Sequence, residues 1–138
     1  MTTTDDNRAI VRRFVEEIFV RGDKAAVDEL VADDFVDHSP SPGLPPTKDG
    51  VRVLFAAMRT AMPDMHVDIH DMVAEGDTVA TRKTLVGTQT GELFGVPPTG
   101  KELRIEVFDF VRYANGRMTD HWNVVDTYGL MTQLGEIG

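Results

Sequence analysis

The chain has 138 residues, the size of one domain, and its hydrophobic share of 41% is ordinary for a globular protein. It contains no cysteine, which excludes disulfides, thiolate nucleophiles and zinc–thiolate sites. Its 14 basic and 23 acidic residues give a net charge of −9, so we expect neither nucleic acid nor an anionic membrane as a partner.

The first half of the chain has the pattern of helices. Ile10, Phe14 and Ile18 recur every four residues, which predicts a first helix running to about Val20. After it we expect, in order, a short second helix, an extended segment (33–38), a proline-rich loop (39–46) and a third helix from about Thr47.

The second half has the pattern of strands, because apolar residues alternate with polar ones from Met65 onward. A long run at 78–89 is followed by a glycine- and proline-rich loop at 91–100. Two further runs flank Asn115-Gly116, a pair typical of a two-residue hairpin turn. Helices first and strands afterwards favour a single α+β domain over residues 1–138.

No targeting or membrane segment is expected. The first residues have neither the basic region nor the apolar run of a signal peptide, and no apolar stretch approaches membrane-spanning length. These features predict a cytoplasmic protein.

The Asn115-Gly116 turn predicts the register of the last two strands. If Ala114 faces Arg117, then Asp109 faces Trp122 and shares a face with it. That face carries Ile105, Val107, Asp109, Val111, Asp120, Trp122, Val124 and Asp126. The other face carries Glu106, Phe108, Phe110, Arg112, Thr119, His121, Asn123 and Val125. A one-residue bulge would reverse the assignment of His121.

Both faces of this hairpin are substantially apolar, so both should be covered. Helices of the same chain can cover one face. Phe108, Phe110 and Val125 on the other face would need a second chain, which predicts a homodimer.

Two motifs in the second half of the chain are distinctive. One is Asp-His-Trp-Asn-Val-Val-Asp at 120–126, followed by Gln-Leu-Gly at 133–135; the other is GTQTGELFGVPPTGKEL at 87–103. Together they resemble the signature segments of the SnoaL-like polyketide cyclases, and the resemblance extends over about 7–135. One departure is Gln89, which stands where many members of that family have histidine.

The resemblance implies a fold and an activity. The fold is the nuclear-transport-factor-2-like cone, in which N-terminal helices pack into the concave side of one strongly curved mixed sheet. The activity is a cofactor-free intramolecular aldol closure of a polyketide ester, with an aspartate as acid/base. Carried over by motif, that aspartate is Asp126, and a pocket position near the start of the sheet is His38. Neither a metal nor a cofactor is implied.

Each candidate catalytic residue also has a structural interpretation. Asp126 could exchange protons in a dry pocket, or it could cap the helix that follows. Asp109 could orient a substrate carbonyl, or it could form an ion pair with Arg82. His38 could bond a carbonyl oxygen, or it could be a surface histidine.

The same side chains suggest an apolar cavity suited to a flat ring ligand. The predicted substrate-binding residues are Trp122, Phe14, Phe35, Phe55, Met58, Arg82, Val107 and Val124. The expected function is acid/base chemistry on a small, apolar, carbonyl-containing substrate. Two alternatives stay open: a non-catalytic binding module of the same fold, and an enzyme similar to epoxide hydrolases or ketosteroid isomerases.

Overall fold

A computed structural model describes residues 3–136 of the protein. Within them the helices are α1 (Thr4–Arg13), a π-helical continuation (Phe14–Val20), α2 (Lys24–Leu30), α3 (Lys48–Ala61) and α4 (Thr127–Gln133). The strands are β1 (Val31–Asp37), β2 (His66–Glu75), β3 (Thr78–Thr88), β4 (Glu102–Ala114) and β5 (Arg117–Val125). The expected order of helices and strands is confirmed.

The five strands form one mixed sheet in the order β1-β5-β4-β3-β2. β1 runs parallel to β5, and every other pair is antiparallel. The helices pack on one side of this curved sheet, so the α+β architecture predicted from the sequence is confirmed. No helix within residues 3–136 is long and apolar enough to cross a membrane.

Side chains at the N-termini cap two of the helices. Thr3 and Asp6 form a reciprocal capping box at the start of α1, which satisfies two backbone N–H groups there. Asp23 caps α2 by accepting from the backbone N–H of Ala25. Thr47 stands at the N-cap of α3, but its side chain makes no capping hydrogen bond.

The core lies between the helices and the concave face of the sheet. Phe14, Phe19 and Phe55 meet edge to face there, with ring centroids 4.3 to 5.8 Å apart. Each of these rings comes from a helical segment. This cluster forms one wall of the cavity described below.

The β4–β5 hairpin departs from the predicted register after two residue pairs. Asn115 and Gly116 both have positive φ, as a type I′ turn requires, and Ala114 faces Arg117 as expected. Beyond Tyr113–Met118 the register shifts by one residue, because Thr119 is left without a partner in the ladder.

The shift reverses the predicted faces of β5. Trp122 pairs with Phe110 rather than with Asp109, so it lies on the convex face of the sheet. His121 pairs with Val111 and Asn123 with Asp109, so these two side chains face the helices. The predicted placement of Trp122 beside Asp109 is therefore wrong. So is the predicted placement of Val125 on the outer face, because Val125 pairs with Val107 and lines the cavity.

Candidate functional site

A cavity lies between the helices and the concave face of the sheet, with a volume of about 140 Å³. Its wall is largely apolar, and an apolar cavity of about this volume can hold a single aromatic ring. Among the predicted substrate-binding residues, the structure places on this wall Phe14, Phe35, Phe55, Met58 and Val107.

The other three predicted substrate-binding residues lie on the convex face. Val124 is 74% exposed, and Arg82 forms an exposed ion pair with Asp71. Trp122 stacks on His38, with the two rings 4.4 Å apart and nearly parallel. These placements correct the prediction, since alternate residues of a strand point to opposite faces.

His38 itself points away from the cavity, for the same reason. Phe35 and Asp37 share the concave face of β1, and the next residue therefore turns to the convex side. There the Nε2 atom of His38 lies 2.9 Å from the Asp120 carboxylate. Hydrogen bonding to His38 is the main cause that lowers the pKa of Asp120.

Asp126 is exposed and caps α4. Its Oδ1 accepts a hydrogen bond of 2.9 Å from the backbone N–H of Gly129. A Cβ at position 129 would come within 2.3 Å of the Asp126 carboxylate, so glycine is what permits the cap. The expectation that Asp126 is a desolvated group on the Trp122 face is therefore wrong, and the geometry is that of the capping alternative.

Asp109 lies on the cavity wall, as expected, but its partner is not Arg82. The Nζ atom of Lys83 donates to the Asp109 carboxylate at 2.5 Å, and both side chains are more than 90% buried. Lys83 belongs to the apolar face of β3, while Arg82 belongs to the opposite face. In the sequence, the alternation along β3 already puts Lys83 on the same face as Val79 and Thr81, and Arg82 on the other face.

A second polar pair in the cavity was missed by the sequence reasoning. The Nδ1 atom of His121 lies 3.0 Å from Oδ1 of Asp37, and both side chains are less than one-fifth exposed. Burial works to raise the pKa of Asp37, but hydrogen bonds from His121 and Ser39 outweigh it and hold that pKa below its ordinary value. Asp37 is thus the charged acceptor, and His121 donates from Nδ1.

Two further polar side chains line the cavity. The Asn123 amide and the Tyr113 hydroxyl make no hydrogen bond with any residue in 3–136. Burial, and to a lesser degree the nearby Asp109 carboxylate, raises the pKa of Tyr113, so its hydroxyl stays protonated and can donate. Both groups are available to bind an oxygen of a ligand.

Gln89 does not take part in this cavity. It is fully buried, and its amide nitrogen donates to the carbonyl oxygens of Val96 and Pro97 at 3.1 and 3.2 Å. Its amide oxygen accepts from the Thr99 hydroxyl at 2.6 Å. The glutamine therefore holds the loop that brings Phe94 to the cavity wall.

The described residues show no arrangement for a metal. No group of three or more histidine, aspartate or glutamate side chains within 3–136 is placed to bind one ion. In the cavity, Lys83 is hydrogen-bonded to Asp109, and His121 is hydrogen-bonded to Asp37.

Comparison with known proteins identifies related sequences. The sequence profile of the SnoaL-like polyketide cyclases matches residues 9–134. Aklanonic acid methyl ester cyclase DnrD of Streptomyces peucetius is 30% identical over 73 residues, which are 53% of this chain and 50% of that protein. The matched segment thus spans about half the length of this curated relative.

Solved structures extend the similarity over the whole fold. IdmH of Streptomyces antibioticus is 32% identical, with a TM-score of 0.81 over 94% of this chain and 98% of that one. TsrD of Streptomyces laurentii has a TM-score of 0.89 over 99% of this chain and 100% of that one. At 23% identity, TsrD shows the fold alone.

The cap at Asp126 can be tested by stability. Asp126→Ala should lower the free energy of unfolding by about 1 kcal/mol, because it removes the acceptor for the Gly129 N–H. Asp126→Asn should leave stability nearly unchanged, since asparagine is an equally good N-cap. Urea denaturation of the two variants measures this, and equal losses in both would contradict the capping role.

The Asp37–His121 pair can be tested by titration. His121→Phe should raise the pKa of Asp37, because the hydrogen bond is lost while burial remains. NMR titration of the Asp37 carboxyl carbon measures the shift. Asp120, which is held by His38, is the internal control and should keep its pKa.

The same variant should change the pH dependence of stability. A lowered carboxyl pKa stabilises the fold above the unfolded-state value of about 3.9, and this stabilisation is lost as pH falls through the lower folded value. The destabilisation by His121→Phe should therefore be largest near neutral pH and shrink in acid. A loss of stability independent of pH would count against the pair.

Proposed function

Because the chain belongs to the SnoaL-like polyketide cyclase family, we propose that it closes a ring in a small carbonyl-containing substrate by cofactor-free acid/base chemistry. The observation that carries this proposal is the His121–Asp37 pair on the wall of an apolar cavity. We extend to this chain the class of reaction in the relative's name, and not its particular substrate.

His121 is the proposed general base. The Asp37 carboxylate accepts the hydrogen bond from Nδ1–H, so Nε2 is unprotonated in the neutral ring. Nε2 makes no hydrogen bond with any described residue. Nε2 can therefore take the proton from the carbon next to a substrate carbonyl. The Asp37 carboxylate then stabilises the imidazolium that forms, and it keeps the ring in one orientation.

Ring closure consumes no other reagent. The carbanion formed by proton removal attacks a second carbonyl carbon of the same molecule, a carbon–carbon bond forms, and the carbonyl oxygen becomes an alkoxide. The His121 imidazolium returns the proton to that alkoxide. Tyr113 and Asn123 are placed to donate hydrogen bonds to the oxygens on which negative charge develops.

The cavity supports a substrate with one flat apolar ring inside it. A volume of about 140 Å³ is too small for several fused rings, so a larger substrate would extend through the opening. Phe94, which is half exposed, and Leu44 of the proline-rich loop lie on the cavity wall and would contact that outer part.

The two alternatives make different demands on the cavity. A binding module without activity needs no base there, and a histidine with a free Nε2 favours the enzyme instead. An epoxide hydrolase would add one water to its substrate, whereas ring closure by aldol addition leaves the mass unchanged. Mass spectrometry of the product therefore distinguishes hydrolysis from cyclisation.

The proposed base can be tested against a matched pair on the convex face. His121→Asn and Asp37→Asn should each lower kcat by about 10²–10⁴-fold, the usual contribution of a general base. His38→Asn and Asp120→Asn remove the equivalent pair outside the cavity and should leave kcat unchanged. The measurement is steady-state turnover of a diketone ester that cyclises.

Two outcomes would redirect the assignment. Loss of turnover in the His38 and Asp120 variants, with none in the cavity variants, would move the chemistry to the convex face. Asp126→Asn keeps its cap, so loss of turnover in that variant would restore Asp126 as the acid/base group.

We also propose that the protein forms a homodimer through the convex face of the sheet. This face exposes large apolar side chains on two neighbouring strands: Phe110 and Phe108 of β4 are 51% and 58% exposed, and Val124 of β5 is 74% exposed. Val73 of β2, which is 65% exposed, extends the patch toward the sheet edge. A contiguous apolar surface of this kind is typical of an interface.

Sedimentation equilibrium at micromolar concentration tests the dimer. The protein should sediment as a dimer, and Phe108→Ser with Phe110→Ser should convert it to a monomer, because the substitutions make the patch polar. Val53→Ser, at an equally exposed position of α3, is the control and should leave the dimer intact. A monomeric parent protein would refute the proposal.

A further inference from the structure

Lys83 is an amine buried on the wall of the cavity. Its side chain is only 9% exposed, and Nζ lies 5.0 Å from the centre of the Phe19 ring. The other lysines of the chain are Lys24, Lys48 and Lys101, and none of them lies on this wall. The cavity therefore holds one amine among apolar side chains.

The carboxylate beside Lys83 is also buried. Asp109 is 7% exposed and accepts the hydrogen bond from Nζ at 2.5 Å. Removing both charges from water is costly, and apolar residues of similar size often stabilise a fold as well as such a pair does. Stability alone thus gives no reason for this pair to stand on a cavity wall.

Lys48 shows how the chain uses a lysine in a structural role. Its side chain is also 9% exposed, but its partner Asp33 is 90% exposed at the surface. Nζ of Lys48 also donates to the backbone carbonyl of Asp28. This lysine connects α3 to the preceding elements and does not line the cavity.

The register of the sheet places Lys83 and the proposed base His121 on either side of Asp109. Lys83 pairs with Val107, Asp109 with Asn123, and His121 with Val111. Asp109 is therefore diagonal to Lys83 on one side and to His121 on the other, and diagonal neighbours in antiparallel pairs are about 7–8 Å apart. Lys83 and His121 thus lie on opposite sides of Asp109 on the same cavity wall, and a ligand that reaches both must extend across Asp109.

We propose that Lys83 is a nucleophile that forms an iminium with a ketone or aldehyde bound in the cavity. Asp109 first takes a proton from the ammonium group, and the neutral amine then attacks the carbonyl carbon. The attacking nitrogen gives one proton to the former carbonyl oxygen, and Asp109 returns its proton to the resulting hydroxyl group, so one water leaves and a carbon–nitrogen double bond forms.

The iminium would assist the ring closure proposed above, and the carbonyl class of its substrate rests on that proposal. A positively charged nitrogen in place of the carbonyl oxygen makes the neighbouring carbon more acidic. His121 can then remove that proton to give an enamine, which attacks the second carbonyl. Addition of water to the resulting iminium releases the product and restores the amine.

The test uses 2,4-pentanedione, a diketone small enough for the cavity. A reactive lysine condenses with it to a conjugated enaminone, with loss of one water and a new near-ultraviolet absorption band. We expect the full-length protein to give this band. Peptide mapping by mass spectrometry should place the adduct on Lys83, with the three other lysines unmodified.

Two variants control the experiment. Lys83→Met should abolish the band, and Lys48→Met should leave it unchanged. If Lys83→Met fails to fold because Asp109 is left unpaired, Lys83→Met combined with Asp109→Leu removes both charges and should also abolish the band. No adduct on the parent protein, or an adduct confined to other lysines, would overturn the proposal.

The outcome is separable from that of the proposed function. His121→Asn should lose turnover and still form the adduct, because the condensation does not need the histidine. Cyclisation by a protein that forms no adduct would leave the proposed function standing and overturn the iminium. An adduct in a protein that cyclises no substrate would leave the reactive lysine standing and overturn the proposed function.

Discussion

The unpaired Thr119 in β5 decides which side chains of that strand face the cavity. Because side chains alternate along a strand, one extra residue moves every later side chain to the opposite face. Met118 before it and His121 after it both point toward the helices, and Trp122 is turned to the convex face. Without the shift, Trp122 would face the cavity and His121 would face the convex side. The proposed chemistry thus depends on one local irregularity in an otherwise regular ladder.

The bulge also positions the partner of His121. β1 lies parallel to β5, with Asp37 next to His121 in the ladder and the backbone N–H of His38 donating to the carbonyl oxygen of His121. Asp37 and His121 therefore leave adjacent backbones toward the same side, which is what a hydrogen bond of 3.0 Å requires. On the convex side, His38, the residue that follows β1, lies beside Asp120 of β5. The same parallel pairing produces a histidine–aspartate pair on each face, and only one of them is enclosed.

The sequence predicted the fold well, because hydrophobic period and turn residues are local signals. The first helical segment ends at Val20 as expected, and Asn115-Gly116 formed the expected turn. The site was predicted less well, because a bulge has no comparable signal in the sequence and its effect extends down the strand. Two errors were avoidable, however: alternation alone puts Asp37 on the face of Phe35, and Lys83 rather than Arg82 on the apolar face of β3. Asp126 was misplaced because a motif identifies a position and not its solvent exposure.

The charges in the cavity favour an uncharged ligand. Asp37 is paired with His121 and Asp109 with Lys83, so each negative group already has its partner. An anionic ligand would have to displace a carboxylate from its pair, and the overall charge of −9 would oppose its approach. A neutral carbonyl compound needs only hydrogen-bond donors, which Tyr113 and Asn123 can supply, and apolar contact, which the phenylalanines provide. The pairing that makes two buried carboxylates tolerable in an apolar cavity therefore agrees with the neutral carbonyl substrate proposed above.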